Sequence, residues 1–340
     1  PLSRPFMSLR TWLAAAALLA APLAQASDTL LNVSYDVARG FYKDFNTAFI
    51  AEHKTKTGET IRVEQSHGGS SKQARSVIDG LQADVVTMNN PLDIDAIAER
   101  AGLLPKDWAR KLPNNSAPSY SAILFVVKKG NPRGIKDWDD LVKPGIELVI
   151  PNPKTSGNGR YSYLAGWEYA RRRGGDAAGK DFVTKLFANV PVLDTGGRGA
   201  TTTFAQRGIG DVLLTFENEV RLIKDELGPD KFDVVIPSLT VRADNPVAVV
   251  KKFAAKNGNT ALAKAYLDYH FSPAGQQLIA KADLRPIDEA VLKQYAATLP
   301  PLNLFTVEQA FGSWPVAQKT HFADGGVFDQ IIAGAKETRG

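Results

Sequence analysis

Ile146-Glu147-Leu148-Val149-Ile150 runs through Pro151 directly into Asn152-Pro153-Lys154-Thr155-Ser156-Gly157-Asn158-Gly159-Arg160. A short apolar run ends in a turn of small and polar residues. Tyr161, Leu164, Ala165 and Tyr169 then recur on one helical face. The same order of events appears three more times. Leu30–Tyr35 leads into Asp36, Ile61–Val63 into Ser66-His67-Gly68-Gly69-Ser70-Ser71, and Val190–Leu193 into Asp194–Thr203. A strand that turns straight into a helix leaves backbone N–H groups free at the helix start, and with the helix dipole these suit a small anion. Four such turns in one chain predict one anion held by many neutral donors.

Outward from these turns, helical and strand patterns alternate. Phe41, Phe45, Ala48 and Phe49 share one helical face, as do Ala74, Val77, Ile78 and Leu81, and Ala83–Met88 reads as a strand between helices. This is an α/β layout with mainly parallel strands, in which ligands collect at the carboxyl ends of the strands. Pro113-Asn114-Asn115-Ser116-Ala117-Pro118 marks a crossing, and a fresh strand, Ala122–Lys128, follows it. Two lobes with a cleft between them are expected. Residues 27–115 would start the first lobe, 116–220 form the second, 221–305 return to the first, and 306–340 cross back to the second.

The bulk numbers exclude several classes. The chain has 340 residues, a formal charge of +5 and no cysteine, which rules out a disulfide framework and gives no footprint for nucleic acid. Arg171-Arg172-Arg173 reads as a solvated helical face. Near the N-terminus, Arg4 and Arg10 precede an apolar run from Trp12 to Leu23 that ends in Ala24-Gln25-Ala26. That pattern describes a secretory signal peptide over residues 1–26, with Met7 as an alternative start, and hence an exported protein.

Enzyme signatures fail. Gly174-x4-Gly179-Lys180 imitates a phosphate loop, but Asp181 replaces the hydroxyl residue that would ligate magnesium. His53, His67, His270 and His321 have no metal-ligand spacing, and no nucleophile elbow occurs. No catalytic residue, metal or cofactor is called for; the chain reads as a binder. Gly68-Gly69-Ser70-Ser71 alone fits a plain helix cap as well as a ligand loop. The run Thr201-Thr202-Thr203 is a poor helix opening, which hydroxyls aimed at a ligand would justify.

Gln65 to Gln73, Asn152 to Arg160 and Asp194-Thr195-Gly196-Gly197-Arg198-Gly199-Ala200-Thr201-Thr202-Thr203-Phe204 together resemble the periplasmic sulfate/thiosulfate-binding family. Leu31 to Asp36, Gly210-Asp211-Val212-Leu213 and Phe311-Gly312-Ser313-Trp314-Pro315 extend the likeness over nearly the whole chain. The resemblance implies a type II two-lobe periplasmic-binding-protein fold, each lobe a mixed sheet flanked by helices. It also implies a monomer in the periplasm of a Gram-negative bacterium, delivering sulfate or thiosulfate to the permease subunits of an ABC importer. Carried over, it puts on the anion the Asp36 N–H, the Ser70 hydroxyl and N–H, the Ser156 hydroxyl, and the N–H groups of Gly157, Asn158 and Gly197. Ser71, Arg198 and Phe216 complete the candidate ligand-binding set. Phe216 stands where the sulfate branch has a tryptophan donor, and with Ser71 and the threonine-rich string it resembles the thiosulfate branch. Molybdate or phosphate on the same fold is the alternative.

Overall fold

A computed structural model describes residues 27–337; the expected signal peptide lies outside the described residues. The strands are β1 (Thr29–Tyr35), β2 (Arg62–Gly68), β3 (Val85–Thr87), β4 (Ser119–Lys128), β5 (Leu148–Val149), β6 (Val212–Phe216), β7 (Phe232–Val235), β8 (Thr240–Asp244), β9 (Val247–Val249), β10 (Arg285–Pro286) and β11 (Leu304–Phe305). They form two sheets. The first has the order β2-β1-β3-β9, with β1 parallel to β2 and β3, and β9 antiparallel. The second has the order β11-β8-β4-β6-β5.

The mainly parallel expectation holds only for the first sheet. In the second, β4 is ten residues long and its neighbours β6, β7, β8 and β10 all run antiparallel to it. Both sheets are therefore mixed. The expected return to the first lobe at residue 221 also shifts. Strands β7 and β8 share one edge of β4, β7 against Phe125–Lys128 and β8 against Tyr120–Ala122, because a strand this long has room for two short partners end to end. The chain first re-enters the first sheet at β9, and β10 pairs with the second sheet again.

The helices that matter for the site are α1 (Arg39–Thr57), α2 (Ser70–Ile78), α3 (Gly157–Ala188), α4 (Gly197–Thr201), α5 (Glu217–Leu227), α6 (Thr260–Phe271) and α7 (Val327–Glu337). Helix α3 breaks at Gly174 and Gly175, so the phosphate-loop imitation is a joint within a helical element, not a turn after a strand. Arg171 and Arg172 fold back onto Glu168, and Arg173 pairs with Asp139. The described part of the C-terminal segment packs on α3: His321 Nδ1 meets the Tyr163 hydroxyl at 2.8 Å, and the Phe328 ring meets Phe187 edge-on. Among the described residues no helix is long and apolar enough to cross a membrane.

At the first crossing, Asn114, Asn115 and Ser116 all have positive φ (52°, 54° and 60°). Left-handed backbone costs about 1–2 kcal/mol per residue, least for asparagine. Local hydrogen bonds offset it. Ser116 Oγ reaches the carbonyls of Trp108 and Ala109 and accepts from Leu112 N, while Asn114 Nδ2 donates to Ala117 O. The second crossing, Asn245-Pro246, is tied to the first. Asn245 N and Nδ2 donate to Ser119 O and Oγ.

Phe41, Phe45 and Phe49 on α1 pack against Tyr266, Tyr269 and His270 of α6, with the Phe45 and His270 rings 4.1 Å apart. His270 Nδ1 faces the Tyr266 carbonyl at 3.0 Å, which can only accept, so Nδ1 carries the proton and Nε2 accepts from the Tyr42 hydroxyl at 3.0 Å. Burial pushes the His270 pKa from 6.5 down to about 3, and burial likewise brings His321 to about 4. Both contribute stability that is fully present above the unfolded value of about 6.5 and lost as the pH falls through the folded values. For His270 the full term is on the order of 5 kcal/mol. The melting temperature should therefore fall steeply from pH 6.5 to 4. His270→Gln should flatten that slope in a thermal scan; an unchanged slope would remove His270 as its source.

Candidate functional site

Each of the four turns ends at a helix start in the structure. Asp36 follows β1 and opens a 3₁₀ turn that leads into α1. Gly69 precedes α2, so Ser70 and Ser71 are its first two residues. Ser156 is the N-cap of α3, its side chain accepting from Gly159 N at 3.4 Å, and Gly157 and Asn158 open the helix. Gly196 precedes α4, which starts at Gly197 and runs on into a wider turn over Thr202–Gln206. Residues at the first positions of a helix have N–H groups with no acceptor inside it.

These starts meet across the lobes. A β-carbon on Gly69 would lie 2.6 Å from the carbonyl oxygens of Thr155 and Thr195, and one on Gly196 would lie 3.2 Å from Gly69 Cα. One on Gly197 would fall 2.5 Å from Val37 Cγ2, 3.1 Å from Asn158 Nδ2 and 3.4 Å from Asp36 Oδ1. Glycine is required at these positions by close approach, not by φ. The two loops of the second lobe are themselves joined, Asn152 N to Asp194 O at 2.7 Å and Thr155 Oγ1 to Thr195 O at 2.8 Å. Ser70, Ser156, Asn158 and Phe216 are each no more than 2% exposed. The lobes are closed on one another.

Arg198, Lys154 and Arg160, which lie in the second lobe's turns, are already paired. Arg198 sends its guanidinium to Glu226 at 2.6 Å, Lys154 binds Asp324 and Asp329, and Arg160 Nη1 is 3.5 Å from Asp93. Arg198 nonetheless contributes its backbone: its N–H donates to Asp36 Oδ2 at 2.9 Å, across the lobes. Burial pushes the Asp36 pKa up, and the Arg198 N–H and the charge of Arg39 pull it back. The Ser71 hydroxyl donates to Asp93 Oδ1 at 2.9 Å. The side chains of Ser71 and Arg198 are thus engaged with carboxylates, while Asp36, Gly69, Asn158, Gly196 and Gly197 come together. The Ser70 hydroxyl meets Met88 Sδ at 3.6 Å.

One expectation is corrected. The hydroxyls of Thr201, which ends α4, and Thr203, in the turn after it, go to carboxylates instead of a ligand: Thr201 donates to Glu219 Oε1 at 2.8 Å and Thr203 to Asp194 Oδ1 at 3.1 Å. Their cost in helix propensity is offset by these bonds, one of them to the fully buried Glu219. His67 is a structural hydrogen-bonder. Its Nδ1 lies 3.3 Å from Tyr35 O, and burial lowers its pKa. Phe216 ends β6, its ring edge-on to Tyr35 and Tyr161 with centroids 6.1 and 5.9 Å away.

Sequence reasoning missed the groups that hold the lobes together. Arg39 on α1 makes a two-pronged pair with the fully buried Glu219 on α5, at 3.0 and 3.1 Å. Desolvation outweighs that pairing and raises the Glu219 pKa to about 6. Tyr161 donates to Asn89 O at 2.7 Å and Asn218 Nδ2 to Val37 O at 2.9 Å. Asn90-Pro91 carried a readable signal, since Asn90 caps the next helix by accepting from Asp93 N. The Arg39–Glu219 pair spans 180 residues and left none.

The chain matches the model for the bacterial extracellular solute-binding protein family over residues 33–285. It is 57% identical over 324 residues to a thiosulfate-binding protein of Pseudomonas aeruginosa, covering 94% of this chain and 98% of that one. It is 52% identical over 317 residues to the sulfate-binding protein of Escherichia coli K12, covering 92% and 96%. Among solved structures, the sulfate-binding protein SubI from Mycobacterium tuberculosis H37Rv superposes with a TM-score of 0.79 at 33% identity, covering 86% of this chain and 99% of that one. The two mixed sheets are those of a type II periplasmic binding protein. With its helix starts facing each other across closed lobes, the chain belongs to the bacterial extracellular solute-binding proteins and, within them, to the sulfate- and thiosulfate-binding family.

Proposed function

We propose that this protein captures sulfate or thiosulfate between its lobes and delivers it to an inner-membrane ABC importer. It acts as a monomer in the periplasm, reached by removal of residues 1–26. It is a binder and not an enzyme. The observation that carries this reading is the meeting of the Asp36, Ser70, Gly157 and Gly197 helix starts, from both lobes, while the nearby cations pair with carboxylates. A dianion stripped of water there is compensated by neutral dipoles. Several charge-assisted hydrogen bonds jointly offset its desolvation. Without a full countercharge in contact, release at the importer is eased.

Phe216 bears on which anion is preferred. A phenyl ring cannot donate, and a buried sulfate oxygen that loses one donor loses about 1–3 kcal/mol. The terminal sulfur of thiosulfate is larger than oxygen and a weaker acceptor, so a phenyl face wastes less on it. We place that sulfur on the Phe216 side. Titration calorimetry should show one site per chain for either anion. Phe216→Trp should shift the ratio of affinities toward sulfate by about tenfold, the worth of one donor. Binding of neither anion by the wild type would remove the function, and an unchanged ratio would remove the role given to Phe216.

A further inference from the structure

We propose that Arg39 is a positioning residue for anion retention: its two-pronged pair with Glu219 clasps α1 to α5 across the lobes and sets how long the bound anion stays. The inference rests on the function proposed above and assigns its residence time to a contact outside the helix starts. Arg39 opens α1, which follows β1 of the first sheet; α5 follows β6 of the second and packs on β4 and β6. Glu219, Leu222 and Glu226 recur on one face of α5 at helical spacing. All three meet the start of α1. The Arg39 guanidinium lies 3.0 and 3.1 Å from the two Glu219 oxygens and 3.3 Å from Glu226 Oε1. A β-carbon on Gly40 would fall onto the Leu222 side chain, so a glycine there lets the two helices come this close.

The clasp is joined to two of the helix starts. Arg39 Nη1 donates to Asp36 O at 3.3 Å, and the Arg198 N–H donates to Asp36 Oδ2 at 2.9 Å. The Arg198 guanidinium takes the other oxygen of Glu226 at 2.6 Å. Asp36, Arg198, Glu226 and Arg39 thus close a ring, with two members from each lobe. Glu219 is fully buried; Arg39 neutralises its charge, and the Thr201 hydroxyl adds one hydrogen bond. Removing one partner of a buried pair strands the other charge, which is costly. That cost falls on the closed state alone, since parted lobes separate α1 from α5 and admit water to Glu219. An anion enters while the lobes are apart and leaves once they part again. The pair therefore acts on departure and not on entry, as buried charge pairs at interfaces act on the off-rate.

The test is stopped-flow association with sulfate and release of radiolabelled sulfate into unlabelled sulfate, alongside the melting temperature of each unliganded protein. The proteins are the full mature chain, Arg39→Met, and Arg39→Met combined with Glu219→Gln. Arg39→Met should speed release about tenfold or more, leave association within about twofold and hold the unliganded melting temperature. Adding Glu219→Gln removes the stranded charge, so release should return to within about threefold of the wild type. Wild-type release from Arg39→Met overturns the inference. So does a lower unliganded melting temperature, or fast release that Glu219→Gln fails to correct, because either makes the pair part of the fold with the lobes apart. A wild type that takes up neither sulfate nor thiosulfate refutes the functional reading itself, whereas wild-type binding with unaltered release from the variant refutes only the role of Arg39.

Discussion

Gly69→Ala should weaken anion binding about a hundredfold or more and leave the unliganded fold intact. Gly69 has φ −56° and ψ 133°, a conformation alanine adopts freely, so the substitution brings no backbone strain. The obstacle lies across the cleft. The added carbon would sit 2.6 Å from two backbone carbonyl oxygens, those of Thr155 and Thr195, both in the second lobe. Neither can swing aside as a side chain would, because Thr155 Oγ1 is bonded to Thr195 O and the adjoining turns are joined through Asn152 and Asp194. With the lobes apart, those partners are gone and so is the clash. The substitution therefore penalises only the closed state, and apparent affinity falls with the population of that state. Calorimetry should show the loss, the melting temperature without ligand should hold, and small-angle scattering should find the variant still open under saturating sulfate. Wild-type affinity in this variant would mean that closure does not bring Gly69 against the second lobe.

Phosphate should bind at least about a hundredfold more weakly than sulfate or thiosulfate near neutral pH. Sulfate and thiosulfate carry no proton there, and phosphate keeps at least one. A proton facing an N–H finds no acceptor. The carboxylate of Asp36 is the group that could provide one, and its Oδ2 already accepts from Arg198 N at 2.9 Å while burial disfavours its charged form. Rotating it toward a protonated anion would leave the Arg198 N–H unpaired, so the gain and the loss oppose each other. Competition calorimetry checks this directly. Equal affinities would refute a site built of donors alone.

What the sequence made readable was local. A strand, a small polar turn and an amphipathic stretch are adjacent in the chain, so the starts at Asp36, Ser70, Gly157 and Gly197 could be found without knowing how the lobes sit. The crossing at Asn114 to Ser116 was readable for the same reason. What could not be read depended on partners far along the chain. The edge of β4 shared by β7 and β8 follows from strand length and register, and no residue in 232–244 announces it. The threonines at the end of α4 and just beyond it signal hydroxyls in an awkward place. Whether those hydroxyls meet a ligand or Glu219 and Asp194 is decided by chain that folds beneath them. The Arg39–Glu219 and Arg160–Asp93 pairs join residues that carry no common motif, and only closure brings them together.

The measurement that bears most directly on the account is a backbone amide NMR titration of the mature protein, first with sulfate and then with thiosulfate. Amide protons of Asp36, Ser70, Gly157, Asn158 and Gly197 should shift strongly downfield together and saturate at one anion per chain, in both lobes at once. Binding that leaves those five resonances in place, or that moves the side chains of Lys154, Arg160 and Arg198 instead, would contradict an anion held by uncharged donors from the two halves of the molecule.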